Sequence, residues 1–314
     1  MGTFVLEELL AAGFTVTALT REGSSSTFPD GVAVVRVPGY DASEAIQAAL
    51  TGQDALVSVI GTMAVAAQKA VADAAVAAGI KRFIPSEFGL NTRKLKGETI
   101  GKILVGKTGF VDYLDEKAKS NPSFSWTGLS TGLFFDFVCS RSPSPSSAQQ
   151  TCMARQTYNM GTKAIERGIA LNHKAKTVKL VDSGNEKWQA STLTHVAKVV
   201  AGILKHPAKT ANKYVETASF NVSQNEIIAI VEELTGTKYT VTKASSTELQ
   251  SLGEEKLAKG DFSAFGPLLE AYNYGDGKNH ALKAEDFVDS SVGVATDEDV
   301  KTVIKNSLAK AGVI

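Results

Sequence analysis

Met1-Gly2-Thr3-Phe4-Val5-Leu6-Glu7-Glu8-Leu9-Leu10-Ala11-Ala12-Gly13, followed by Thr15-Val16-Thr17-Ala18-Leu19-Thr20-Arg21, decides how the chain is read. The first stretch has helical spacing: Phe4, Val5, Leu9 and Ala12 recur on one side, and Gly13 is the residue type expected just past a helix end. The second alternates through β-branched residues, as a strand does, and closes on Arg21. A helix thus opens the numbered chain, with a strand directly after it.

Outward from there, the alternation of periods continues. A Gly/Ser loop from Gly23 to Phe28 leads to residues 32–37, expected as a buried strand. Asp41 is expected to cap a helix running to Leu50, with Gly52 ending it. Residues 54–61 read as a second buried strand, 64–78 as a long Ala/Val-rich helix stopped by Gly79, and 81–84 as a short strand entering Pro85-Ser86-Glu87-Phe88-Gly89. Repeated βα units with short turns predict an α/β fold, a Rossmann-type doubly wound parallel sheet. Ligands collect off the carboxyl ends of such strands, which singles out Gly61, Thr62 and the 85–89 loop. In the same unit the first helix follows a glycine-rich phosphate turn, and the residue closing the second strand reads the adenosine ribose. Gly2 occupies the place of the last glycine of that turn and Arg21 the place of the ribose reader. An arginine there, in place of an acid, points to a 2′-phosphate and so to NADP(H); a solvated strand end is the plainer alternative. The first strand and most of the phosphate turn are absent from the numbering. The expectation is an incomplete version of a longer protein, or else a short form that has lost cofactor binding.

Composition fits this class. With 314 residues and 43% hydrophobic content, the chain can bury a large core. Its 33 basic and 33 acidic residues cancel and are well mixed, which argues against nucleic acid or an anionic membrane as partner. Two cysteines, Cys139 and Cys152, make no disulfide scaffold and point to a reducing compartment. No apolar run approaches a membrane span, and Leu6 breaks a myristoylation motif after Gly2. A cytoplasmic protein with a small-molecule substrate is the expectation.

The stretch Lys81-Arg82-Phe83-Ile84-Pro85-Ser86-Glu87-Phe88-Gly89 resembles the signature of the NmrA-like, isoflavone reductase-like family of atypical short-chain dehydrogenases. Arg21 resembles the family's NADP-selecting arginine, and Gln68 a family glutamine on the helix after the fourth strand. The stretches 225–235, Gly236-Thr237-Lys238, Lys259-Gly260-Asp261 and Asp297-Glu298-Asp299 resemble its C-terminal half, so the likeness runs from Gly2 to about Ala311 with one break. The resemblance implies NADPH-dependent reduction of enone-like or benzylic-ether substrates, with a lysine as general acid/base at the start of the helix after the loop. Lys107 matches that position. Burial beside a cofactor lowers a lysine's pKa toward neutrality, which suits proton exchange at working pH. Cofactor contacts are expected from Gly2, Arg21, Gly61, Thr62, Gln68, Ser86, Glu87 and Phe88.

Two departures from the family pattern stand beside this. Val111 replaces an arginine four residues after the catalytic lysine, and Asp30 replaces a second basic residue nine positions after Arg21. Relatives that only bind the dinucleotide, reporting redox state to a protein partner, remain the alternative function. Tyr113-Leu114-Asp115-Glu116-Lys117 spells the Tyr-x-x-x-Lys of ordinary short-chain dehydrogenases, but it falls about two turns, roughly 10 Å, beyond Lys107.

In the second half, residues 124–130 read as a strand. Phe134, Phe135 and Phe137 belong either to a substrate loop or to plain core. Residues 138–168, with the run Ser140-Arg141-Ser142-Pro143-Ser144-Pro145-Ser146-Ser147, read as a low-complexity insertion. Residues 175–184 form a strand and turn, Thr192 caps a helix carrying His195, and that histidine is expected to be packed. His173, His206 and His280 lack metal-ligand spacing. The domain reading is a nucleotide-binding part over 1–137, the insertion, and 169–314 completing the sheet and forming a smaller α+β substrate lobe.

Overall fold

The opening helix forms where its spacing places it: α1 (Gly2–Ala11) buries Gly2, Val5 and Leu9, and Gly13 follows at φ +87°. The computed structural model describes residues 1–137, 171–295 and 298–314. The expected insertion, with Cys139 and Cys152, therefore lies outside the described residues, as do the side chains of Thr62 and Phe137.

Strand β1 (Thr17–Arg21) pairs in parallel with β2 (Ala33–Val37), Thr17 opposite Ala33 and Arg21 opposite Val37. The expectation of a buried strand at 32–37 is corrected here. Ala33, Val34 and Arg36 are exposed, because β2 has a neighbour on one side only. Helix α2 (Ser43–Leu50) starts later than Asp41 would set it. Its N-cap is Ala42, and Asp41 contributes only its carbonyl, which accepts the Ser43 N–H at 2.9 Å.

Strand β3 (Ala55–Val57) is half-buried and shorter than the expected 54–61, since it too is paired on one side, by β4 (Arg82–Ile84). The helix expected from Ala64 begins as a tight 3-10 run, Thr62–Ala67, and becomes α-helical as α3 (Gln68–Ala77). After the 85–89 loop come α4 (Thr99–Ile103), α5 (Val105–Ser120) and β5 (Ser125–Ser130).

Next are β6 (Leu133–Phe134), β7 (Thr177–Val181), β8 (Trp188–Ser191), α6 (Leu193–Lys205), α7 (Pro207–Thr210) and β9 (Lys213–Glu216). The chain finishes with β10 (Phe220–Val222), α8 (Gln224–Thr235), β11 (Thr240–Ala244), α9 (Ser246–Ala258), α10 (Phe265–Tyr274) and α11 (Val300–Lys310). Strand β9 returns to the first half and pairs in parallel with β5, giving the order β3-β4-β5-β9. The pair β1-β2 is a separate parallel block, and no described strand is hydrogen-bonded to both β1 and β3. Strands β10-β8-β6 and β11-β7 form two small sheets of the second half.

Alternation along β4 sorts the two faces of the main sheet. Phe83 enters a core with Ile46, Val71, Phe110, Leu114 and Trp126, under α2, α3 and α5. Ile84 enters the opposite core with Val5, Leu9, Leu129, Val196 and Val200, under α1 and α6. Helices on both faces are what double winding means, and full burial of a side chain such as Phe83 stabilises by roughly 1.5–3 kcal/mol. A third core, around Phe135, Trp188, Ile227 and Ile304, belongs to the second half. Among the described residues no helix is long and apolar enough to cross a membrane.

Candidate active site

In the block β3-β4-β5 the carboxyl ends are Val57, Ile84 and Ser130, so residues 58–61, 85–89 and 131–132 emerge side by side. The middle segment is tied down on every side. Ser86 donates its Oγ–H to the Ile60 carbonyl at 2.6 Å and its backbone N–H to Gln68 Oε1 at 2.9 Å. The Gly89 carbonyl accepts from the Thr131 and Gly132 N–H groups and from Ser130 Oγ at 2.9 Å. Between these anchors Phe88 is held at φ +20°, a conformation sparsely populated by non-glycine residues and typical of positions that surrounding structure over-determines.

Lys107 stands in the first turn of α5 and donates Nζ–H to the Glu87 carbonyl at 2.9 Å. Burial pushes its pKa below the ordinary lysine value, and the nearby Glu87 charge opposes that push. The Glu87 carboxylate is itself almost wholly buried, at 1% exposure. Its Oε2 accepts from Thr92 Oγ1 at 2.6 Å and from the Tyr214 hydroxyl at 2.7 Å. Oε1 has no partner among the described residues, and neither has the buried Nε2 of Gln68.

The structure thus brings together Gln68, Ser86, Glu87, Phe88 and Lys107, with Gly61 next to the Ile60 carbonyl that fastens Ser86. Gly61 is the exposed N-cap of the 3-10 run that begins at Thr62. Among the described residues no side-chain hydrogen bond or ion pair joins Gly2 or Arg21 to this cluster, although Phe88 shares a core with Val5 and Leu9 of α1. Gly2 and Arg21 belong to the α1–β1 unit, where the short 12–16 connection reverses the chain and so puts both at one end of that unit. Arg21 is exposed, makes no ion pair among the described residues, and lies with its guanidinium 5.7 Å from the Tyr40 ring centroid.

The neighbouring candidates separate cleanly. Val111, where the family pattern has an arginine, is fully buried in the core under the sheet. Tyr113 and Lys117 do share a helix face, but both attach to Asp73 of α3, Lys117 at 2.6 Å. Burial and the Asp73 hydrogen bond raise the Tyr113 pKa, the opposite of what a tyrosine proton donor needs. Phe135 is core, edge-on to Phe220 at 4.7 Å, while Phe134 is half-buried. His195 is packed, its Nε2 within 2.9 Å of Thr217 Oγ1 and 2.7 Å of Asp289 Oδ1. Among the described residues no group of three His, Cys, Asp or Glu side chains is placed to hold a metal.

Two members of the cluster have no signal in the local sequence. Thr92 opens a short 3-10 turn, Thr92–Leu95, and Tyr214 lies in Lys-Tyr-Val-Glu, a strand like any other. Only the pairing of β9 with β5 delivers Tyr214 to Glu87, across 127 positions of sequence. The one clue is Gly128, opposite Tyr214, where a Cβ would stand 2.6 Å from the tyrosine ring.

A parallel sheet covered by helices on both faces makes this a Rossmann-type α/β protein. Residues 1–299 match the NmrA-like family, and the chain belongs to it. It is 32% identical to "Oxidoreductase poxI" of Penicillium oxalicum over 90% of this chain and 82% of that protein. It is also 26% identical to "Isoflavone reductase homolog P3" of Arabidopsis thaliana, over 82% and 76% of the two chains. The structure described as "AtPrR2 with NADP+ and (+)pinoresinol" superposes with a TM-score of 0.72 at 19% identity, covering 98% of this chain and 95% of that one.

Proposed function

We propose that the chain is an NADPH-dependent reductase that delivers hydride to an electron-poor carbon of a small conjugated or aromatic substrate. The observation that carries this reading is Lys107, held by its Nζ on the Glu87 carbonyl at the edge of the sheet and lowered in pKa by burial. The two curated relatives carry oxidoreductase and reductase names, and the superposed structure holds NADP+ with a lignan, which supports the same chemistry.

The residues present fit a nicotinamide. Gln68 Nε2 is a buried donor without a partner, on the side chain whose Oε1 fastens the Ser86 N–H, and the carboxamide oxygen of a nicotinamide would satisfy it. NADPH, when bound, supplies the hydride. Ser86, Glu87 and Phe88 frame the ring side of the site, with Gly61, Thr62 and Gln68 beside them. Gly2, at the start of α1, would lie nearest the pyrophosphate, and Arg21 would hold the 2′-phosphate. Lys107 gives its proton to the oxygen on which negative charge develops. In the division of labour we infer, residues 1–137 bind the nucleotide, while 169–314 complete the sheet through β9 and enclose the substrate.

The test separates a reductase from a dinucleotide-binding sensor that acts on a protein partner, since a sensor does not need Lys107. NADPH oxidation is followed with (+)-pinoresinol and simple conjugated enones as probes, and NADPH affinity is measured in parallel. Lys107→Ala is expected to lower turnover about 10²–10⁴-fold, the usual contribution of a general acid, with affinity nearly unchanged. Turnover that survives the substitution would refute the reductase role of Lys107.

A further inference from the structure

Glu87 is placed in the site twice over, by its backbone and by its side chain. Its carbonyl serves Lys107, yet its side chain turns inward and is gripped at one oxygen by two hydroxyls, one from Thr92 just along the chain and one from Tyr214 on distant β9. Burying a carboxylate costs free energy unless donors compensate, so such an arrangement is retained where the charge is used. Thr92 and Tyr214 also contact each other, at 3.3 Å between hydroxyl oxygens, closing a small buried network. The Tyr214 ring reaches it only because Gly128 leaves the space on β5.

We propose that Tyr214 is a positioning residue for the reaction: with Thr92 it fixes the Glu87 carboxylate behind Lys107, and through Glu87 it governs the proton held on Nζ. Of the other charged groups on the elements packed against α5, half-buried Glu98 acts on Tyr272 and His280, and the rest are paired or exposed. Arg93 pairs with Asp112, Lys94 with Glu216, Asp73 with Lys117 and Lys119 with Asp115. Lys69 lies over the Tyr113 ring at 4.6 Å, and Lys102 and Glu116 face solvent. Glu87 is the charge that acts on Lys107, in the direction that keeps the amine protonated. Removing or loosening it therefore leaves burial unopposed, and Lys107 loses its proton at lower pH. The Tyr214 proton stays in place throughout, since burial and the Glu87 charge raise its own pKa well above the ordinary tyrosine value.

This inference rests on Lys107 being the proton-handling residue, and its test reads the proton without turnover. The intact chain is labelled with trace acetic anhydride across a pH series, and the acetylation of Lys107 is followed by mass spectrometry, with Lys81 as internal reference. Glu87→Gln is expected to lower the Lys107 midpoint by about one to three pH units, the effect of losing an opposite charge at close range. Tyr214→Phe, which removes one hydroxyl and keeps the ring, is expected to shift it the same way by less, as is Thr92→Val. Adding Tyr214→Phe to Glu87→Gln is expected to change nothing further. A wild-type midpoint in Glu87→Gln overturns the proposal. So does a shift in Glu87→Gln with none in Tyr214→Phe, which leaves the tyrosine a purely structural role. Loss of the reductase reading itself shows in the Lys107→Ala turnover and leaves these midpoints standing.

Discussion

At the scale of single residues, the two ends of the site are built on opposite principles. Glu87 is enclosed and Lys107 half-buried, so their charges are less screened than surface charges are. Arg21 is exposed, and the role proposed for it would rest on charge-assisted hydrogen bonds made in solvent. Those bonds are worth about 1.5–3 kcal/mol, so Arg21→Ala is expected to weaken NADPH binding roughly tenfold or more. NADH binding, which offers no 2′-phosphate, is expected to stay the same, and fluorescence titration with both nucleotides checks this. Equal losses for the two would place Arg21 on some other part of the nucleotide. Ser86 belongs to a contiguous stretch, and Gln68 and Lys107 were expected from the family resemblance; that the three lie together is seen in their hydrogen bonds to the 85–89 loop. Thr92 and Tyr214 were not expected, since a hydroxyl finds its carboxylate through strand pairing that no local pattern encodes.

At the scale of elements, periodicity located the helices and strands well and judged burial less well. Residues 32–37 and 54–61 have the apolar content of central strands, yet β2 and β3 are each paired on one side. Composition reports what a strand tolerates, whereas burial depends on how many neighbours it has, which is a property of the sheet. The helix α6 shows the opposite case. Thr192 caps it by accepting the His195 N–H at 3.1 Å, an interaction three residues long and therefore readable. The β5–β9 pair gives an element-scale prediction, because a Cβ on residue 128 would press into the Tyr214 ring. Gly128→Ala is expected to displace that ring and to reproduce the Tyr214→Phe shift in the Lys107 labelling midpoint. An additional overpacking cost of about 1–3 kcal/mol should appear in thermal unfolding. A destabilised protein with an unmoved midpoint would show that the ring's place does not matter to Lys107.

At the scale of the whole molecule, the two halves of the sequence are not independent. Strand β9 completes the order begun by β3, β4 and β5, and Tyr214 on it touches the loop that holds Lys107. Buried Arg82 of β4 adds a second tie. Its guanidinium donates to Thr127 Oγ1, Thr210 Oγ1 and the Pro207 carbonyl, at 2.5, 3.2 and 2.5 Å. The sequence predicted a nucleotide fold followed by a smaller lobe. It did not show that a strand of the second part brings Tyr214 against the loop that holds Lys107, because that depends on which strand lies beside β5.

The account stands or falls on the nucleotide, and the most direct measurement is isothermal titration of the purified chain with NADPH and, separately, with NADH. The account predicts one NADPH bound per chain and NADH bound about tenfold more weakly or less well still, the margin that one charge-assisted phosphate contact supplies. No heat with either nucleotide, or equal affinity for both, would contradict it.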